Sequence, residues 1–428
     1  MSMQHRGQEG AGIAAISGDS IICHKNRGLV SEVFSGDALG SLLSRVAVGQ
    51  CQYSIFSAEN NSGGNIQPVF TEYLTGRIAA VHSGNLTNAK ILKDELMTYG
   101  IAFTGTSDCE VISKLIAYHC TKEKNVLEGI KAAAKLLQGA FSLIVLSAEN
   151  NKMIVLRDAN GFKPLCLGKS ECGIAAAAES CALDACGFDF LRDVRPGEAA
   201  VIENGEIVYE EVVLAPKIKN TGSCIFEYVY LARPDSFIDN QSVYKARVNL
   251  GKILAEESPV EADIVCGAPD TGLEAAIGYS EQSGIPSLPG LIRNRYIGRS
   301  FIYPTQSQRE NAVKLKFNVL KSNIEKKRIV LVDDSIVRGT SMKIIVAMMK
   351  NAGAKEVHLR IASPPVKYAC HYGIDTKSEE DLIASRIGSE EMRKNIGAES
   401  LAYISIGGLT KACGDCVLPL CVNCFEGR

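Results

Sequence analysis

IVLVDDSIVRGTS (329–341) decides how this chain is read. Ile329, Val330, Leu331 and Val332 follow the basic run Lys326, Lys327 and Arg328. Four consecutive apolar residues predict a short strand buried on both faces of a parallel sheet. Asp333 and Asp334 put two carboxylates where that strand ends, and Gly339, Thr340 and Ser341 form a loop behind them. From Met342 the apolar positions Ile344, Ile345, Met348 and Met349 recur at helical spacing until Gly353 stops the helix. Strand, loop and helix in this order suit a sugar phosphate. Open amides at the helix N-terminus offer donors and partial positive charge, Gly339 admits a close backbone approach, and paired carboxylates can accept from vicinal hydroxyls. In the plainer reading the acids merely open a loop and Thr340 or Ser341 caps the helix.

Outward from this stretch, the chain bounds its own class. Its 428 residues suggest two or three domains, and a hydrophobic content of 46% is enough for large cores. A formal net charge of -2 without basic blocks predicts no nucleic-acid or membrane-surface partner. No apolar run reaches the length of a membrane span and the start, MSMQHRGQEG, lacks a signal-peptide core, so a cytoplasmic protein is expected. The 15 cysteines are scattered through apolar stretches, which predicts mostly reduced, structural thiols.

Two rhythms divide the chain. Up to about Leu214, strands alternate with Gly turns around two helices, which favours a layered α+β domain. GAGIAAI (10–16) and SIICHKN (20–26) form a hairpin around Gly18 and Asp19. A helix starts at Ser107, with Glu110 completing a capping box, and a second runs from Val126 to Gln138 and ends at Gly139. Strands are expected at 141–146, 153–156 and 173–178, and Asn204 with Gly205 marks a hairpin in VIENGEIVYEEVV (201–213). APKIKNTGS (215–223) has the composition of a linker. From Cys224 strands alternate with helices, predicting a parallel sheet with strands at 262–266, 329–332, 356–361 and 401–406 and helices at 273–283 and 342–351.

The thirteen residues at 329–341 resemble the phosphoribosyl pyrophosphate (PRPP) fingerprint of type I phosphoribosyltransferases, in the form found in the glutamine PRPP amidotransferase family. CIFEYVYLARPDS, CGAPDTGLEAAIGY, GLIRNRYIGRSFIYPTQSQRE and HLRIASPPVKYACHYGID extend the resemblance across the second half, and QHRGQEGAGI, HSGNLTNA and TSDCEVI across the first. It implies an α+β N-terminal-nucleophile-type glutaminase sandwich over 1–214, an α/β type I phosphoribosyltransferase domain with a parallel sheet over 223–412, and a cysteine-rich tail over 413–428. The implied reaction is displacement of pyrophosphate from C1 of PRPP by ammonia, giving phosphoribosylamine. On matching positions, Mg²⁺ is held by Thr271, Asp333 and Asp334, and the 5′-phosphate by Gly339, Thr340 and Ser341. Arg299, Arg309 and Lys316 belong to a segment that resembles the family's mobile loop and close over pyrophosphate. Cys224, Cys370, Cys421 and Cys424 match the ligands of a [4Fe–4S] cluster. Zn²⁺ at Cys413, Cys416, Cys421 and Cys424, or no ligation at all, are the other readings. A dimer or tetramer and inhibition by purine nucleotides are further implications.

In the first half the resemblance breaks at the chemistry. The family's nucleophile is an N-terminal Cys upstream of the HRGQ landmark, and this sequence begins almost at HRGQ, so no glutaminase nucleophile is expected. Gln52 in GQCQYSI (49–55) stands where the family has an Arg that pairs with the substrate carboxylate, and a neutral amide does not replace a guanidinium. Ile55 replaces a Thr, and Ser83 replaces the Asn that serves the oxyanion hole. Arg6, Tyr53, Gly84 and Asp108 survive as a remnant glutamine site. The expectation is therefore a transferase acting on PRPP with ammonia, its glutaminase half degenerate. A non-catalytic subunit that binds PRPP or nucleotides beside a complete paralogue is the alternative. A chain begun at an internal Met of a longer gene is a third reading.

Overall fold

The computed structural model describes residues 1–53, 65–216, 218–219, 221–294, 296, 315–374, 376 and 378–427. The chain divides into two compact units, one of residues 1–224 with 236–239 and 371–374, the other of 225–235, 240–370 and 375–428.

The first unit is built on antiparallel strands. β1 (Gly10–Ser17), β2 (Ser20–Arg27) and β3 (Ala47–Gln52) form a three-stranded sheet in the order β2-β1-β3. A six-stranded sheet combines β4 (Val69–Tyr73), β5 (Gly76–Leu86), β6 (Gly139–Ser147), β7 (Lys152–Arg157), β8 (Glu198–Glu203) and β9 (Glu206–Val212) in the order β9-β8-β7-β6-β5-β4. Alternation along β5 explains the layering, because successive side chains point to opposite faces. Ile78 and Ala80 belong to the core beneath the helices α1 (Asp108–Glu123) and α2 (Val126–Leu136). Ala79 and Val81 belong to a second core shared with Ala14 and Ile16 of β1 and Val48 of β3. The expected hairpins form at 18–19 and at Asn204 and Gly205, both of which have positive φ (52° and 81°).

Three details of this unit differ from expectation. Ser107 caps α1 by accepting from the Glu110 amide, but the Glu110 carboxylate accepts from the Thr104 amide (2.8 Å) and the Gly105 amide (2.7 Å) instead of closing a capping box. Those two loop amides have no strand partner, and the Gly105 amide is buried, so they claim the nearest carboxylate. α2 ends at Leu136 and Gly139 opens β6, because pairing with β5 takes over the backbone there. A helix at Ala89–Thr98, not foreseen from the sequence, buries only Leu92 and Leu96, too sparse a pattern to read.

The second unit is organised on a four-stranded parallel sheet of β10 (Ile264–Gly267), β11 (Arg328–Asp333), β12 (Glu356–Ile361) and β13 (Ser400–Tyr403), ordered as numbered. Ile329 to Val332 of β11 are each 0% exposed, with parallel partners on both edges. Each such side chain contributes about 1.5–3 kcal/mol of burial. The expected strand at 401–406 is shorter: Ser405 turns the chain by accepting from the Gly408 amide (2.8 Å), and Ile406–Ala412 is a helix. α3 (Val243–Glu257), not foreseen from the sequence, packs against α4 (Leu273–Ser283), and α5 (Thr340–Asn351) follows β11.

Candidate functional site: an acid pair at the end of a parallel strand

β11 delivers its two acids at the carboxyl end of the sheet, where open α/β folds bind ligands. The Asp333 carbonyl accepts from the Ala362 amide (2.9 Å), and its side chain accepts from the Asp334 amide (2.9 Å). Asp334 is buried, and its carboxylate accepts from the Ser335 hydroxyl (2.5 Å) and from the Thr271 hydroxyl. Thr271 lies on the loop after β10, so the tertiary fold joins two segments sixty-three residues apart in sequence. Burial pushes both carboxyls above the ordinary Asp range, and the charge of Asp334 pushes Asp333 further. The Ser335 and Thr271 hydroxyls, Arg247 and Lys316 pull Asp334 back toward ionisation, and Lys316 does the same for Asp333. Lys316 thus stands within electrostatic reach of both acids.

The helix that follows has a glycine at its N-cap. α5 begins at Thr340, with Gly339 as the preceding cap residue at φ 76° and no side-chain hydrogen bond across the cap. The plainer reading, in which Thr340 or Ser341 is the cap, does not describe this end; both lie inside the first turn. Arg299 and Arg309 lie outside the described residues, as does Ile55.

Two carboxylates and a hydroxyl are hard oxygen donors of the kind Mg²⁺ takes when it keeps waters and substrate phosphates for its other positions. Among the described residues no three His, Cys, Asp or Glu side chains converge to hold a single ion. In the cysteine-rich tail, Cys416 accepts from the Tyr228 hydroxyl (3.4 Å) and donates to the Leu418 carbonyl (3.5 Å), and burial pushes the Cys413 thiol up to about 12. The loop before Cys370 is tied to Cys424, whose carbonyl accepts from the Lys367 and Tyr368 amides (3.0 and 3.1 Å). Cys421 and Cys424 are buried in the second unit, and Cys224 is buried at the end of the first.

In the first unit the remnant residues are placed by backbone needs. Gly84, at φ 135°, leaves no room for a side chain, because a Cβ there would come within 2.1 Å of the Ala140 carbonyl. Asp108 opens α1 and accepts from the Leu86 amide (2.7 Å). Arg6 and His5 both meet the carboxylate of Glu179, which is fully buried. Tyr53 ends the described segment after β3. Gln52 is occupied: its amide donates to the Asn65 carbonyl (2.8 Å) and accepts from the Gln67 amide (3.1 Å).

Sequence reading missed Ser335 and Arg247. A signal existed for Arg247, which falls among Val243, Ala246 and Leu250 on the buried face of α3. An arginine at such a position needs acceptors.

The fold defines a two-unit protein in which a parallel α/β sheet with an acid pair at its carboxyl end accompanies a domain of antiparallel sheets. Residues 54–185 match the family model described as glutamine amidotransferase domain. An amidophosphoribosyltransferase of Methanocaldococcus jannaschii is 45% identical over 439 residues, covering 100% of this chain and 92% of the relative. The Bacillus subtilis amidophosphoribosyltransferase is 43% identical, with 100% and 89% covered. Among solved structures, one described as the allosteric regulatory enzyme of purine biosynthesis superposes with a TM-score of 0.90 at 42% identity, covering 100% of this chain and 91% of that one. The glutamine PRPP amidotransferase from B. subtilis complexed with ADP and GMP gives a TM-score of 0.89 at 42% identity, with 100% and 92% covered. The chain belongs to the amidophosphoribosyltransferase family.

Proposed function

We propose that this protein is a phosphoribosyltransferase of purine biosynthesis that forms phosphoribosylamine from PRPP and ammonia, releasing pyrophosphate and a proton. The observation that carries the reading is the meeting of Thr271 with Asp334, next to Asp333 at the end of β11, just before the glycine-started helix α5. Mg²⁺ bound there would neutralise charge that grows on the departing pyrophosphate. Asp333 and Asp334, held by Ser335 and Thr271, would orient the cation and the ribose hydroxyls, and the amides of Gly339, Thr340 and Ser341 would take the 5′-phosphate. Lys316, already within reach of the acids, would move its charge to the pyrophosphate, where Arg299 and Arg309 join it. The non-catalytic subunit is not favoured, since the relatives described above are named as amidophosphoribosyltransferases.

The glutaminase half is, on this reading, impaired. Gln52 spends both ends of its amide on the backbone at Asn65 and Gln67 and has no charge to offer a substrate carboxylate. Ser83 reaches less far than the Asn it replaces, and loss of one oxyanion donor costs about 10²–10³ in rate. A [4Fe–4S] cluster on Cys224, Cys370, Cys421 and Cys424 belongs to the same reading, supported by the soft donor set and checked by iron content and visible absorbance. So does inhibition by purine nucleotides, since the B. subtilis structure is a complex with ADP and GMP. The test is Mg²⁺-dependent pyrophosphate release from PRPP by anaerobically purified protein. Ammonium is expected to support turnover and glutamine to support at least about 10²-fold less. Equal rates would refute the impaired glutaminase, and silence with both would refute the transferase.

A further inference from the structure

The loop between β11 and α5 is gripped by a segment more than forty residues further along the chain. Glu379–Asp381 makes a single 3₁₀ turn that leads into a helical turn, Ile383–Arg386. Ser378 caps the first turn by accepting from the Glu380 amide (3.0 Å), and Leu382, at 0% exposure, anchors the join in the core. From there the Ile383 amide donates to the Val337 carbonyl (2.9 Å), and Asp381 pairs with Arg338 (3.2 Å). The Ile383 side chain lies over Gly339, where a Cβ would come within 3.1 Å of Ile383 Cδ1 and 3.9 Å of both Ile383 Cγ2 and Ile336 Cγ2.

This grip falls where the loop has little of its own to hold it. Gly339 stands at φ 76°, and no side chain bonds across the start of α5. Glycine samples more backbone conformations than any other residue, so its neighbours must keep it in one of them. The Arg338–Asp381 pair is 44% and 48% exposed, and such surface pairs contribute little. Ile383 is half-buried and holds the loop twice, through its amide at Val337 and through its side chain at Gly339.

We infer that Ile383 is a positioning residue for the 5′-phosphate of the substrate: it keeps Val337 to Gly339 in the backbone conformation from which the amides of Gly339, Thr340 and Ser341 converge on a phosphomonoester. The inference rests on the proposed PRPP site and assigns that site a residue outside its own loop. Placement matters because an error of about 1 Å in a binding group can cost about 10² in rate. Ile383 acts through Gly339 and not on the substrate. The two ends of PRPP should therefore respond differently, since Thr271, Asp333 and Asp334 serve the pyrophosphate end and Ile383 grips only the phosphate loop.

The experiment uses full-length, anaerobically purified protein. It follows ammonium-dependent turnover with PRPP varied and measures binding of ribose 5-phosphate and of Mg²⁺ pyrophosphate by calorimetry. Ile383→Ala keeps the amide and removes the side chain. It is expected to raise KM for PRPP about 10-fold, as for a loop in its binding conformation about a tenth of the time, with kcat within about 2-fold of wild type. Ribose 5-phosphate should weaken by the same factor, and Mg²⁺ pyrophosphate should bind as to wild type. Ile383→Val keeps Cγ2 at Gly339 and should recover most of the loss; its smaller shift, about 2–3-fold, carries the test if Ile383→Ala does not fold by circular dichroism. Asp334→Asn should do the reverse, weakening Mg²⁺ pyrophosphate more than ribose 5-phosphate. A side chain that served the fold alone would lower the melting temperature and the apparent kcat while leaving KM and both affinities unchanged. That result, or equal weakening of both ligands in Ile383→Ala, overturns the inference and leaves the site reading standing. Wild-type protein that binds neither ligand, or Asp334→Asn that keeps its Mg²⁺ pyrophosphate affinity, overturns both.

Discussion

Replacing Asp334 by Asn separates what the site does for the fold from what it does for chemistry. Asp333 and Asp334 are adjacent acids whose carboxyls are both held above the ordinary Asp range by burial. Asn has the same shape, its oxygen can still accept from the Ser335 or Thr271 hydroxyl, and the like charge beside Asp333 is removed. The metal-free variant should be more stable by about 1–2 kcal/mol, the scale of relieving one poorly compensated buried group. That corresponds to a rise of about 2–8 °C in the melting of a unit of this size. The sign with pH follows from linkage. An acid whose folded pKa is raised binds its proton more tightly in the folded state, so wild-type stability falls as pH rises from 3.8 through the raised values, and D334N should flatten that limb. The same substitution removes a cation ligand. Several kcal/mol of transition-state stabilisation should go, lowering ammonium-dependent pyrophosphate release by about 10²–10³. Melting curves in chelator across pH 4–8 and pyrophosphate assays in Mg²⁺ read the two effects. A variant that melts lower than wild type in chelator and keeps wild-type turnover would refute the account of this site.

Three further outcomes are expected. Arg157 is fully buried, pairs bidentately with Asp239 (2.7 and 2.8 Å) and donates to the Lys163, Val194 and Gly161 carbonyls, so Arg157→Ala should cost about 3–5 kcal/mol and abolish soluble first unit by limited proteolysis. Glu179 lies fully buried between His5, Arg6 and Ser236; burial opposes its ionisation, but Arg6 and His5 prevail and hold its carboxyl well below the usual Glu range of 4.5. Its stabilisation is present above that value and is lost progressively as pH falls from 4.5 toward the depressed pKa, so Glu179→Gln should lower stability at neutral pH and remove the acid-sensitive decline that sets in below pH 4.5 in urea denaturation curves. Gln52→Ala should cost about 1–2 kcal/mol through the bonds to Asn65 and Gln67 while leaving the ammonium-dependent rate unchanged; a fall in that rate would tie Gln52 to the transferase.

Local chemistry alone determined much of this protein. A run of four apolar residues, two acids and a Gly-Thr-Ser loop sufficed to predict β11 and α5, because a strand buried on both faces must be apolar throughout and a helix must begin where its periodicity does. Asn204 with Gly205 was enough for a hairpin, since few residue pairs take positive φ together. Tertiary structure decided the rest. Whether Ser107 and Glu110 form a reciprocal cap depended on which unpaired loop amides lay nearby, and the Thr104 and Gly105 amides won. Whether 404–406 continued a strand depended on the Ser405 cap. The acid site itself is nonlocal: Thr271 meets Asp334 only because β10 and β11 pair in parallel, and Arg247 of α3 favours ionised Asp334 only because tertiary packing brings the two segments near each other. Sequence shows which groups are charged. Burial and the distance to a counter-charge, which exist only in the folded chain, set what each charge costs and which of them a ligand must answer.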